Sequence, residues 1–403
     1  MRKNILMLTT IYPAPDLNLL NNTNVCHYFA KEWVKMGYEV KVVFNYPIYC
    51  PIFHWIAKFA EKKLASKGSA YVSTKRITKD LTYEMDGVKV YRTPVYKFMP
   101  RIGVSPKNID KQIKKIVDDN KRNGFIPDVI VAHFFYPHLE MVARLKEVYK
   151  ANSCIVVHAQ GMDLNKVCGD ELPSLLDAID VWGYRSIPLE KEFTELYHPK
   201  GKSFYCYSGI PEEFLTDPNY IKDFGKEINK FIYVGSFIKR KHPFEVLKAL
   251  EKIDGKWILD YVGKGEQESV IEKEIVNKQL SDRVTLHGHR PRNEVSEFLD
   301  KAQVFIMISS METFGLVYIE AMSRGLITIA SRNEGMDGII RDGENGFLCE
   351  AGNVNELAKI IKKIKDMPLH EITRISNNAI ITAHKLSDKK VAEEYLKAIL
   401  PKT

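Results

Sequence analysis

Glu312 and Glu320 stand eight positions apart in the stretch VFIMISSMETFGLVYIEAMSRG, which runs from Val304 to Gly325. An ionised carboxylate only accepts hydrogen bonds, so two of them beside one element suit a ligand rich in hydroxyl groups. The residues around them provide for an anion. Val304 to Ile308 is an unbroken apolar run, the mark of a parallel strand covered on both faces. Ser309 and Ser310 leave that strand, Thr313 is placed to cap a helix, and Gly325 is placed to end it. The amides of Phe314, Gly315 and Leu316 then open the helix, where N–H groups and the helix dipole attract a phosphate. A phosphorylated ligand carrying sugar rings satisfies both halves. The spacing of the two glutamates alone favours an ordinary strand–helix unit, with Glu312 helping the cap and Glu320 solvated, since two Glu at this spacing are common.

Further along the same logic, a second anion site is expected upstream. The strand Phe231 to Val234 leads into Gly235 and Ser236, then into the cations Lys239, Arg240 and Lys241, with Pro243 fitted to the first position of a helix. A glycine turn containing Gly263 follows another apolar run, and Arg290 closes the loop LHGHR. His133 and His158 each end a probable strand, although a histidine there is more often structural. The chain has no D-x-D pair of the kind that holds a metal ion; Asp118-Asp119 lies on a lysine-rich helix and reads as solvated surface.

The string Ser310, Glu312, Phe314-Gly315, Glu320-Ala321-Met322 and Gly325 resembles the donor-site motif of glycosyltransferase family 4, retaining enzymes of the GT-B fold. HAQGMD, from His158 to Asp163, is similar to that family's H-x-x-G-x-D segment, and Tyr261 to Gly265 to its V-G-x-G turn. Lys241 matches the lysine of the family's diphosphate clamp; Ser236 stands where the family has an arginine, a charge that Arg240 is placed to supply. The loop from Tyr12 to Asn24 reads LLNNTN where the family has a glycine pair. The resemblance implies Glu312, Lys241 and His158 as catalytic residues, with Glu312 on the sugar hydroxyls and His158 near the transferred sugar. It implies donor contacts from Gly235, Ser236, Arg240, Gly263, Arg290, Phe314, Gly315, Leu316 and Glu320, the last on the ribose. Also implied are a UDP- or GDP-linked sugar donor, a glycan or lipid-linked acceptor, and no metal or cofactor. A UDP-N-acetylglucosamine 2-epimerase or a non-catalytic sugar-nucleotide-binding subunit is the alternative.

The elements that position these residues repeat as βα units, broken near residues 211–229. Two Rossmann-like domains facing across a cleft are therefore expected, 1–210 on the acceptor side with a returning helix at 387–403, and 211–386 on the donor side. A chain of 403 residues with 45% hydrophobic and 27% charged residues is sized for two such cores. No apolar run reaches the length of a membrane span, and the opening MRKNILMLTT reads as a first strand rather than a leader. Six scattered cysteines fit reduced thiols and a cytoplasmic setting. Of the net charge of +8, residues 46–101 carry 11 Lys/Arg against 4 Asp/Glu, too local for nucleic acid and without a helix-turn-helix or zinc pattern. Residues 46–80 place Ile52, Phe53, Trp55, Ile56, Phe59 and Leu64 on one side with Lys58, Lys62, Lys63 and Lys67 nearby, which suits either an anionic membrane surface or a helix packed on its own domain.

Overall fold

The computed structural model describes residues 3–17, 24–57, 75–98, 103–158 and 163–400. Two compact units emerge. One comprises Met1–Arg185, Leu189–Cys206 and Val391–Thr403; the other comprises Ser186–Pro188 and Tyr207–Lys390.

The first unit holds an eight-stranded sheet in the order β3-β4-β2-β1-β5-β6-β7-β8. Its strands are β1 (Asn4–Thr9), β2 (Glu39–Ile48), β3 (Leu81–Met85), β4 (Val88–Tyr96), β5 (Val129–His133), β6 (Asn152–Val157), β7 (Val181–Tyr184) and β8 (Lys202–Tyr205). All neighbours are parallel except β3 and β4, an antiparallel hairpin turned by Asp86-Gly87 with both residues at positive φ. Asp-Gly suits that two-residue turn, whose backbone twist matches its flanking strands. Ile5 to Leu8 and Val129 to Ala132 are fully buried, as strands covered on both faces must be. Near the chain's end, Tyr395 packs edge-on to Phe29 and Trp33, and the Trp33 indole donates to the Ala392 carbonyl at 3.1 Å.

One expectation about this unit is overturned. Asp119 is buried, not solvated, and its carboxylate meets the buried Lys41 ammonium, which also donates to Asn120 at 2.7 Å. Helix Pro106–Arg122 is indeed rich in lysine, but Asp119 lies on the side carrying Ile109, Ile113 and Ile116. Asp118 alone faces solvent.

The second unit holds a six-stranded, all-parallel sheet in the order β11-β10-β9-β12-β13-β14. Its strands are β9 (Lys230–Val234), β10 (Ile258–Val262), β11 (Val284–Leu286), β12 (Val304–Ile306), β13 (Ile327–Ser331) and β14 (Phe347–Cys349). The order is that of a doubly wound fold, in which the chain reverses its direction of progress between the first and fourth strands. That reversal lies between β9 and β12, where Phe231 registers against Val304. Helices leave the two strands in opposite senses there, so a crevice opens at their carboxyl ends. Helix Leu316–Ser323 ends as expected: Gly325 sits at φ 70°, its amide bonds to Met322, and the Leu326 amide bonds to Ala321. Only glycine takes that left-handed position at little cost.

Candidate active site

The crevice at β9 and β12 gathers most of the residues singled out in the sequence. Gly235 and Ser236 leave β9, and residues Lys239–Lys241 form a short 3-10 turn before helix Pro243–Leu250. From the neighbouring strand, Glu312 approaches the same turn. The Lys241 ammonium lies 3.4 Å from Glu312 Oε2, both side chains largely buried, and the Ser310 amide donates to the Arg240 carbonyl at 2.7 Å. Partial burial raises the value of such a charge pair above that of a surface ion pair. Arg240 keeps one guanidinium nitrogen, Nη1, buried with no acceptor among the described residues. A cationic donor without a partner at this place is chemically ready for an anion. Ser236 is exposed beside it.

Gly263 shows why that position must lack a side chain. A methyl group there would stand 1.9 Å from the Gly235 carbonyl oxygen, and the backbone is held at φ 148°. The β10 turn is therefore pressed against the β9 turn, and the Gly263 amide donates onward to Gly288 at 2.8 Å.

The start of helix Leu316–Ser323 differs from expectation. Thr313 does not cap it; Gly315 occupies the cap position at φ 86°, with no side-chain cap bond. The cause lies in Glu334, whose two carboxylate oxygens accept from the amides of Met311 (2.9 Å) and Glu312 (2.8 Å). With Met311 at φ 52°, these bonds hook the chain before it can begin the helix. The opening amides without a protein acceptor among the described residues are consequently those of Gly315, Leu316 and Val317, while Phe314 is buried with its ring 5.7 Å from Tyr207. Nothing in the local pattern marks Glu334 as the clamp, because it comes from the loop after β13.

Glu320 also departs from the simplest picture. It is 7% exposed, and its Oε1 lies 2.6 Å from Arg292 Nε. Arg290, the arginine noted in the sequence, turns elsewhere: Nε donates to the His287 carbonyl at 3.0 Å and Nη1 reaches Glu294 at 3.4 Å. His242, left-handed at φ 50°, bonds Ser310 Oγ through Nε2 at 2.8 Å.

In the first unit, His158 and His133 form a pair, Nε2 to Nδ1 at 2.8 Å, and His158 stacks on Phe134. Burial, reinforced by the Arg185 charge, pushes His133 down to about 3; burial and the neighbouring His133 hold His158 well below its ordinary range. His138 is fully buried, and burial lowers it to about 4. Its Nδ1–H donates to the His133 and Phe134 carbonyls, leaving Nε2 to accept from Asn45 at 3.0 Å. Residues 159–162, most of the HAQGMD segment, lie outside the described residues.

The glycine-free loop after β1 is tied by side chains as far as it is described. Tyr12 OH donates to His27 Nδ1 and His27 Nε2 to Asp86, each at 2.8 Å, while Asp16 meets Arg92 through both oxygens. Residues 18–23 are outside the described set.

Residues 219–382, all within the second unit, match the family model for glycosyl transferases group 1. N-acetyl-alpha-D-glucosaminyl L-malate synthase of Bacillus anthracis is 31% identical over 260 residues, covering 60% of this chain and 67% of that protein. The chain belongs to the group 1 glycosyl transferases. This glycosyl transferase is also 31% identical to the lipopolysaccharide core biosynthesis glycosyltransferase LpsE of Rhizobium meliloti over 133 residues, 32% of this chain and 38% of that one. It spans under half the length of several curated relatives, 46%, 38% and 31% in three of them. Among solved structures, Anabaena HepE in complex with UDP and glucose superposes over 98% of both chains with a TM-score of 0.61 at 17% identity, a likeness of fold. The fold class is GT-B, α/β with two Rossmann-like sheets. Among the described residues, no helix of this glycosyl transferase is long and apolar enough to cross a membrane.

Proposed function

We propose that this glycosyltransferase moves a hexose or related sugar from a UDP- or GDP-linked donor to a glycan or lipid-linked acceptor, retaining the anomeric configuration and using no metal ion. The observation that carries the reading is the Lys241–Glu312 pair, 3.4 Å apart at the point where the sheet reverses. Cleavage of the bond between the anomeric carbon and the diphosphate leaves negative charge on the leaving oxygen. Lys241, Arg240 and the open amides of Gly315, Leu316 and Val317 supply positive charge for it in fixed positions. Glu312 then orients sugar hydroxyls, Glu320 the ribose, and His158 of the first unit serves the transferred sugar. In this scheme the leaving phosphate takes the acceptor proton, and the first unit selects the acceptor. Support for a glycoconjugate product and a UDP-linked donor comes from the likeness to LpsE and to HepE bound to UDP and glucose.

The test is to incubate the protein with UDP- and GDP-linked hexoses and N-acetylhexosamines in excess EDTA, with and without glycan and lipid-linked acceptors. Acceptor-dependent release of nucleoside diphosphate, with the anomeric configuration unchanged by NMR, is expected. An altered sugar formed with no acceptor present indicates an epimerase; tight donor binding with no turnover indicates a non-catalytic subunit.

The acceptor side of the proposal extends to an anionic membrane surface. Within residues 51–57, a helical segment, Ala57 and His54 are buried, whereas Ile52, Trp55 and Ile56 are 69%, 65% and 53% exposed. Of the four described members of the apolar stripe read in the sequence, three thus face outward and Phe53 is half-buried. Lys58, Phe59, Lys62, Lys63, Leu64 and Lys67 lie outside the described residues. Each lysine near an anionic surface adds about 1 kcal/mol of attraction, and exposed Trp and Ile suit the interface. The protein is expected to co-sediment with vesicles in proportion to their anionic lipid, and Ile52→Ser/Trp55→Ser/Ile56→Ser to remain in the supernatant. Equal pelleting of both proteins would show that the patch plays no part.

A further inference from the structure

Arg292 opens helix Arg292–Lys301 and lies two residues beyond the arginine that the sequence brings forward. Its Nε stands 2.6 Å from Glu320 Oε1, and its guanidinium carbon 4.3 Å from the centre of the Phe214 ring. Nη2 is buried and has no acceptor among the described residues. Glu320 belongs to helix Leu316–Ser323 and is 7% exposed; its second oxygen, Oε2, has no protein partner among the described residues yet is not sealed from solvent. One carboxylate oxygen is therefore committed to the protein and the other is offered outward.

We infer that Arg292, steadied by Phe214, is the positioning residue for Glu320 and so sets how strongly the site distinguishes ribose from deoxyribose. The inference rests on the nucleoside-diphosphate reading above. Each part of the arrangement has a physical role. The guanidinium supplies the counter-charge for a largely buried carboxylate, and a carboxylate only accepts, which matches a ribose hydroxyl as donor. Engaging Oε1 through Nε fixes the plane of the carboxylate and hence the direction of the Oε2 lone pairs. Stacking on Phe214 removes the guanidinium's own freedom, so the geometry exists before the ligand arrives. A lysine cannot reproduce this: it carries the charge but neither the planar edge nor the stacked face.

Binding of UDP, GDP and their 2′-deoxy counterparts is measured by calorimetry on the full chain, for wild type, Arg292→Met, Arg292→Lys and Glu320→Gln. Wild type is expected to favour the ribose form by about tenfold, the scale of one charge-assisted hydrogen bond. In both Arg292 variants the ribose form weakens to the level of the deoxy form, so the ratio falls towards one. A merely structural arginine would weaken both forms equally and leave the ratio alone. If Glu320→Gln loses discrimination and the Arg292 variants keep it, the positioning role is overturned and the ribose role of Glu320 stands. If Glu320→Gln keeps the ratio of wild type, or wild type shows none, the ribose reading itself falls. Should Arg292→Met fold poorly by circular dichroism, Arg292→Lys retains the charge and decides the matter alone.

Discussion

Glu312→Ala and Lys241→Ala each lower the rate of transfer by on the order of a hundredfold or more, while circular dichroism and the melting temperature stay close to wild type. The magnitude follows from removing one preorganised charged contact to developing negative charge, about 3 kcal/mol. The two residues sit 3.4 Å apart, each in contact with solvent on one side, so neither truncation opens a core cavity. Lys241→Ala removes charge from the leaving group and is expected to lower kcat more than it raises KM. Glu312→Gln keeps shape and loses charge, which separates hydrogen bonding to sugar hydroxyls from electrostatics. The double variant should be no worse than the poorer single one, because the pair acts on one transition state. Turnover of Glu312→Ala within a few-fold of wild type would remove Glu312 from the proposed mechanism.

The first unit loses about 3 kcal/mol of stability between pH 7.5 and pH 5.5 through His133 and His138 alone. Both are fully buried, held down to about 3 and about 4, chiefly by burial. In the unfolded chain each returns to its ordinary value near 6.5. Below that value the unfolded state binds protons that the folded state does not, so stability rises with pH and falls as pH drops from about 6.5 towards the folded values. At pH 5.5 a histidine kept neutral in the fold costs about 1.4 kcal/mol whatever its folded value, provided that value lies well below 5.5. Urea unfolding at the two pH values, followed by the fluorescence of the buried Trp33 and Trp182, measures the loss. Replacing His138 with Gln should flatten the pH dependence by about half even if it lowers stability at pH 7.5. An unchanged slope in that variant would show that His138 is not neutral in the fold.

Much of the second unit was legible along the chain. Apolar runs marked β9, β10 and β12, Pro243 marked a helix start, and Gly325 a helix end. These features are local: a run of buried residues, a missing amide hydrogen or a left-handed backbone leaves its trace within a few positions. The same holds for the residue string from Ser310 to Gly325, through which the resemblance to sugar transferases was visible. The β3–β4 hairpin carried an equally local mark in Asp86-Gly87 that the reading of βα alternation passed over.

The succession of strands and helices, and the residue types delivered to the ends of β9, β10 and β12, are written locally along the chain. Which of those residues touch depends on how the elements pack against one another. Lys241 meets Glu312 because the crossovers place β9 beside β12, a choice made by packing the whole sheet. Glu334 displaces the helix start from the loop after β13, and Arg292 rather than Arg290 reaches Glu320 because of the direction in which its helix begins. Asp119 reads as solvated because its helix is rich in lysine, yet the step of about 100° from Asp118 carries it inward to Lys41. Spacing along a chain encodes which face a side chain takes on its own element; the partner waiting at that face belongs to another element, and long-range packing alone selects it.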